Sequence, residues 1–287
     1  MDKYNYTNFL VSDIHSFYFP LKSSLYFAGF NKKDKTHRLI ILGDLFDRGP
    51  DTLEVYKFIK SLPKHRRVLI KGNHEQLYFE LLKKDFPDDY DFSNGTVRTF
   101  CSIAKVDLDE LNFNKICKSY YEKNETPPLA FIRAKIHRTW QRVQAIVAEH
   151  EITKWLSSNE WHNYFELDEL ICVHSFIPVT RFGAMKNWRE AHNSMWEDAM
   201  WGCPWKDFKA GLFNEEAKQG KKLVCGHWHA QDFNRVFKNE PDNWEVYLGD
   251  NLIAIDGCCA TTGNILVLKV TSEGYFDRYN KKIGERT

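Results

Sequence analysis

Seven short apolar runs, each of three to six residues, set the strongest limit on how this chain folds. They fall in two groups: Phe9–Val11, Arg38–Leu42 and Arg67–Ile70, then Leu170–Val173, Lys222–Cys225, Leu252–Ile255 and Ile265–Val270. Continuous runs this short suit strands covered on both faces, as in α/β sheets. From about residue 75 to 158 the strand signal is weak. There Leu129, Ile132, Ile136, Trp140, Val143 and Val147 recur every three or four residues behind Pro127-Pro128, which predicts a long helix. Leu53, Tyr56 and Ile59 predict another over Thr52–Ser61, capped by Asp51 or Thr52. These patterns predict an α/β fold, a single domain over 1–287 with a mainly helical insertion at 76–160. Tyr164–Val173 predicts a hairpin with Asp168 near its turn, and the Lys/Arg-rich tail after Phe276 is expected to be a solvated end.

The 40 basic and 39 acidic residues nearly cancel. A protein that neutralises many phosphates carries a basic excess, so no nucleic-acid polymer is expected as partner. Seven cysteines without C-x-x-C spacing predict reduced thiols and a cytoplasmic protein. The N-terminus has no apolar run of signal-peptide length, and no stretch of about 18 apolar residues predicts a membrane span.

Five signals sit where the strand runs stop: Ser12-Asp13-Ile14-His15, Gly43-Asp44-Leu45-Phe46-Asp47-Arg48-Gly49, Gly72-Asn73-His74-Glu75, Val173-His174-Ser175 and Gly226-His227-Trp228-His229. Sites of open α/β sheets gather beyond the carboxyl ends of the strands. Asp13 and His15, one residue apart, leave the same face of an extended segment and can share one ion. Asp44 has two carboxylate oxygens and can bridge two ions, with Asn73, His174 and His227 completing the second. His227 and His229 alternate in the same way. Carboxylate, imidazole and amide oxygen together suit manganese, iron or zinc, and the absence of cysteine from the motifs argues against a structural zinc site. Arg48, beside Asp47, is placed to contact phosphate. Each Asp could alone be a turn residue, and the tryptophans at 188, 196, 201 and 205 are expected to be packing more than pocket wall. His37, His65, His137, His150, His162 and His192 lie outside the motifs.

The series D-x-H, G-D-x-x-D-R, G-N-H-E, H and G-H-x-H, spread over residues 12–257, resembles the calcineurin-like metallophosphoesterase superfamily. Gly-Asp-Leu-Phe-Asp-Arg-Gly-Pro is similar to the phosphoprotein phosphatase branch, including the bacteriophage-lambda-type phosphatases. The resemblance implies a four-layer αββα sandwich holding two divalent metal ions, manganese foremost. Asp13, His15 and Asp44 match the first metal site; Asp44, Asn73, His174 and His227 match the second. His229 resembles a further ligand of the first metal in the wider superfamily, one that phosphoprotein phosphatases lack. His74 matches the general acid, Asp47 the carboxylate that orients it, Arg48 a phosphate clamp, and Ile255-Asp256-Gly257 the closing strand. Lys71 stands where that branch has an arginine, and its later phosphate-binding arginine has no counterpart, since Arg181 and Arg189 lie outside any motif.

The implied function is hydrolysis of phosphomonoesters by a dinuclear-metal-activated hydroxide, foremost on phosphoserine or phosphothreonine in proteins. The alternatives are a nucleotide phosphodiesterase or dinucleoside polyphosphate hydrolase, and a non-catalytic scaffold on a phosphatase fold. The implied partner is a phosphorylated protein or a small phosphoester.

Overall fold

The computed structural model describes residues 6–123, 125–180 and 183–284. Its strands are β1 (Thr7–Val11), β2 (His37–Leu42), β3 (Arg67–Ile70), β4 (Trp161–His162), β5 (Tyr164–Leu167), β6 (Leu170–Val173), β7 (Val179–Thr180), β8 (Gly183–Ala184), β9 (Lys222–His229), β10 (Tyr247–Leu248), β11 (Leu252–Asp256), β12 (Leu268–Thr271), β13 (Gly274–Phe276) and β14 (Lys282–Gly284). One sheet runs β14-β13-β12-β1-β2-β3-β4 and a second runs β10-β11-β9-β6-β5; β7 and β8 pair apart from both. Neighbours among β1 to β4 are parallel, as are β6-β9 and β9-β11.

Period-two alternation sorts the first sheet's side chains into two cores. Leu10, Ile40, Leu42, Val68 and Ile70 point at the second sheet, with Leu268 beside Leu10, and share a core with Leu170, Val224 and Ile253. Phe9, Val11, Leu39, Ile41 and Leu69 point away and are covered by helices. Trp188, Trp196, Phe213 and Phe233 join the core of the second sheet, making four layers in the order helices, sheet, sheet, helices. Each large apolar side chain so buried contributes about 1.5–3 kcal/mol.

Helices α1 (Tyr18–Phe27) and α2 (Thr52–Lys60) cross between the first strands. Asp51 stands at the N-cap of α2, but its carboxylate accepts from Tyr18 N (3.3 Å) instead of capping the helix. Between β3 and β4 the chain is helical: α3 (Asn73–Lys83), α4 (Asp89–Asn94), α5 (Thr96–Ala104), α6 (Phe113–Tyr121), α7 (Leu129–Glu149) and α8 (Glu151–Leu156). On α7 the stripe Ile132, Ile136, Trp140, Val143 and Val147 is buried, with Trp140 stacked on Phe100 of α5. Leu129, expected on that stripe, overhangs the core as the first residue of the helix and is 56% exposed.

The hairpin β5–β6 turns at Asp168, whose φ is 49°. The last apolar run becomes a strand only from Leu268, with Ile265 to Val267 buried ahead of it. The tail after Phe276 differs from the expected solvated end. There β14 pairs with β13, and the largely buried Arg278 bonds to Glu245 (3.2 Å). All seven cysteines are free, and no described helix is long and apolar enough to cross a membrane.

Candidate active site

The loops after β1, β2, β3 and β6, with the distal end of β9, converge at one end of the two sheets. Six of the predicted site residues adopt positive φ: Asp13 (50°), His15 (48°), Asp44 (53°), Asp47 (75°), Arg48 (56°) and His227 (62°). Such conformations cost about 1–3 kcal/mol each and persist only where the surroundings hold them. Here the N–H groups of Asp13, His15 and Ser16 bond the carbonyls of Gly43, Asp44 and Leu45 at 3.0–3.3 Å, zipping the first loop to the second. Asp13 and His15 thus meet through a curled backbone, not through the extended one assumed from sequence. His15 Nε2 lies 3.9 Å from Asp13 Oδ1.

Asp44 is buried at the centre. Its Oδ1 accepts from His74 N (3.0 Å) and lies 3.4 Å from His174 Nε2. Its Oδ2 faces the other way, 3.7 Å from His15 Nε2 and 3.8 Å from His74 Nε2. The donor atoms form two groups, His15–Asp44–His74 and Asp44–His174–His227, each within 4.8 Å of one another. Burial alone would push the Asp44 carboxyl up, but the imidazoles of His174, His74, His15 and His227 outweigh it and hold the group well below the usual carboxylate range.

The donor set fits divalent metal ions. His15 donates from Nδ1 to the Phe46 carbonyl (2.9 Å), and His174 from Nδ1 to the Leu42 carbonyl (2.7 Å). In the neutral rings this aims the Nε2 lone pairs at Asp44, the tautomer a metal ligand needs. Burial, with His74 beside it, keeps His15 well below the usual histidine range, and burial with His174 brings His227 to about 3. His174 Nε2 also lies 2.9 Å from Asn73 Oδ1. Three acceptors converging this closely require a proton or a cation between them. Burial opposes a charged His174 ring, while Asp44 and Asp13 raise its proton affinity.

Distance alone does not separate His15 from His74, since both stand equally near Asp44. Their partners do. His74 Nδ1 bonds Asp47 Oδ2 (2.7 Å), and its Nε2 lies 3.3 Å from Arg48 Nη2. A guanidinium beside Nε2 disfavours a second cation there, and Arg48 itself is exposed. Burial works against a charged His74 ring, yet Asp44 and Asp47 raise its pKa to about 9. The Arg48 contact belongs to the neutral ring, because arginine can only donate.

Glu75 is the residue whose role the sequence did not disclose. Its carboxylate accepts from Gly72 N (2.7 Å), Asp44 N (3.0 Å) and Leu45 N (2.9 Å), pinning two loops together. Burial and Asp44 raise its carboxyl to about 7. Glu75→Gln turns an amide N–H₂ toward at least one of these donors and is expected to lower unfolding stability by about 1–3 kcal/mol, read in urea titrations. Gly226 is fixed by close approach, since a Cβ there would run into Ser12 Oγ and Asp13 Oδ2.

Other expectations fall further out. His229 is in neither group among the described residues. Its ring stands 3.8 Å from Asp232 and 4.0 Å from Asp256, and a hydrogen bond with Cys258, then Asp256, raises it to about 9. The same-face argument for His227 and His229 fails because His227 has positive φ and the pairing of β9 with β11 shifts register there. Lys71 is part-exposed and lines a cleft beside α3, its N–H held by the His162 carbonyl (2.8 Å). Arg189 is engaged by Glu166 (2.5 Å) and Glu216 (3.3 Å), and Arg181 lies outside the described residues. Trp188 and Trp196 are buried around Tyr164, whereas Trp201 is 41% exposed with its ring 6.2 Å from that of His227. His150 and His192 accept from Ile152 N and Ser194 N as helix caps.

The family model of calcineurin-like phosphoesterases matches residues 9–231, which take in every motif of this constellation. The chain belongs to that family. That family implies divalent metal ions. This phosphoesterase is 26% identical over 175 residues to the symmetrical bis(5'-nucleosyl)-tetraphosphatase of Hamiltonella defensa subsp. Acyrthosiphon pisum (strain 5AT), covering 60% of each chain. It is 25% identical over 198 residues to the protein of that name from Legionella pneumophila (strain Lens), covering 66% of this chain and 69% of the relative. The phosphoesterase thus spans well under the full length of the relatives it matches. Among solved structures, the cold-active protein-tyrosine phosphatase of a psychrophilic Shewanella shares its fold, with a TM-score of 0.56 at 16% identity over 98% of this chain and 80% of the other.

Proposed function

We propose that this phosphoesterase hydrolyses dinucleoside polyphosphates, with Asp44 bridging two divalent ions. The observation that carries the reaction is the placement of the two Asp44 oxygens, each turned to its own imidazole group. Asp13, His15 and Asp44 would hold one ion; Asp44, Asn73, His174 and His227 the other. The ligand types suit manganese, iron or zinc. Such a pair supplies positive charge at the phosphoryl oxygens and lowers the pKa of water toward about 7.

The chain's own residues do the rest. Arg48 presents a planar, exposed guanidinium to phosphoryl oxygens. His74 delivers a proton from Nε2 to the departing oxygen as the P–O bond breaks and the water oxygen bonds phosphorus, the proton that the water gives up passing to solvent and His74 regaining one from solvent. Asp47 keeps the Nδ1–H of that ring fixed, and no covalent phosphoenzyme forms.

The substrate class is supported by the tetraphosphatase relatives and by a cleft. About 510 Å³ of open volume begins at Lys71 and Gly72 and runs along α3, with Phe79 and Trp161 set among mostly polar and charged neighbours that include Gln76, Glu80, Asn163 and Glu197. The two aromatic faces suit stacking on a base. The phosphoprotein reading rests on the form of the Asp44–Arg48 motif, and among the described residues Arg189 is already paired with two glutamates.

A panel of bis(5'-adenosyl) tetraphosphate, a bis-phosphodiester and a phosphoserine peptide tests the proposal. The tetraphosphate is expected to give the highest kcat/KM, with two ADP as products. A phosphopeptide turned over more efficiently would overturn it. In the same assay Lys71→Ala is expected to raise KM for the tetraphosphate about tenfold, one lost charge–phosphate contact of about 1.4 kcal/mol, and to leave KM for p-nitrophenyl phosphate nearly unmoved.

A further inference from the structure

We propose that Thr96 and Thr99 of α5 are positioning residues that hold the Asp47–His74 pair in register for proton delivery, an inference that rests on the acid role of His74. Both threonines are buried, and both hydroxyls are spent on Asp47. Thr99 Oγ1 accepts from Asp47 N (3.0 Å) and donates to Asp47 Oδ1 (2.7 Å). Thr96 Oγ1 donates to Oδ2 (2.8 Å), the same oxygen that receives His74 Nδ1. With both oxygens occupied, the carboxylate has no freedom to turn about its last bond. The imidazole it holds then has one orientation, with Nε2 toward Arg48.

The backbone reinforces the clamp. Gly95, just ahead of α5, has a φ of 87° and lies so close to Arg48 that a Cβ would run into the Arg48 backbone nitrogen. Helix α5 therefore abuts the Asp47–Arg48 turn, which is itself held at positive φ. The helix is in turn fixed from behind. Its Phe100 packs on Tyr78 of α3 (ring centroids 4.8 Å apart) and on Trp140 of α7 (5.7 Å). Because α3 also carries His74, one packed pair of helices delivers both the acid and the threonines that aim it. This gives the helical segment between β3 and β4 a part in the chemistry without any contact to substrate.

The test compares Thr99→Val, which keeps the shape and removes the hydroxyl, with Thr99→Ser, which keeps the hydroxyl. Each is made in the wild-type chain and with His74→Asn, and assayed on phenyl phosphates of rising leaving-group pKa. Metal content and thermal unfolding are read alongside. Thr99→Val is expected to lower kcat about tenfold on phenyl phosphate, a part of the factor of about 10²–10⁴ that a general acid supplies. The loss should shrink toward p-nitrophenyl phosphate, with KM and metal content unmoved. Thr99→Ser should restore the rate, and Thr99→Val should cost nothing further in the His74→Asn chain. Thr96→Val is expected to repeat the pattern and stands in should Thr99→Val fold poorly. An equal loss in both His74 backgrounds, or one independent of the leaving group, overturns the clamp alone. A His74→Asn chain as fast as wild type on phenyl phosphate overturns the acid role and the clamp with it.

Discussion

Asp44→Asn is expected to lower kcat/KM by at least about 10³-fold, beyond the 10–100-fold typical of changes behind a metal ligand. The substitution keeps the size of the side chain and destroys its double role. One oxygen becomes an N–H₂ that must face either His15 and His74 or His174, where the native group offers only acceptors. The negative charge that four imidazoles surround is lost as well. Glu75 still grips the Asp44 N–H, so the loop stays in place and the effect is read as chemistry, not unfolding. Metal analysis of the same preparation should show fewer than two ions per chain. Wild-type turnover and metal content in this variant would remove Asp44 from the centre of the site.

His74→Asn is expected to keep its metal and lower kcat by about 10²–10⁴-fold on esters with poor leaving groups. The ring makes its close hydrogen bonds to Asp47 and Arg48, and neither partner is needed to hold an ion. What disappears is a proton donor whose pKa the neighbouring carboxylates raise to about 9. An activated aryl phosphate needs less of that proton and should suffer less. Wild-type rates on a poor-leaving-group ester would show that His74 is not the acid.

Much of this was legible in the sequence because strands buried on both faces cannot hide their composition. The runs ending at Val11, Leu42, Ile70 and Val173 named both the sheet layers and the loops that carry ligands. Asp13 and His15 converge through left-handed turns, a geometry that one residue of spacing does not reveal. Where the same rule was applied to His227 and His229, the register shift beside β11 separated them. Glu75, Thr96 and Thr99 stayed out of sight for another reason. They act through hydrogen bonds to residues 30, 31, 49 and 52 positions away, and those distances close only when helices pack. The tail after Phe276 looked solvated because a charged edge strand resembles a loose end until its partner is known.

The most direct test of the account is metal removal by a chelator, followed by readdition of manganese while bound ions and turnover are measured together. The account predicts that activity falls with the metal and returns as two ions per chain are restored. Undiminished hydrolysis by the metal-free protein would contradict it.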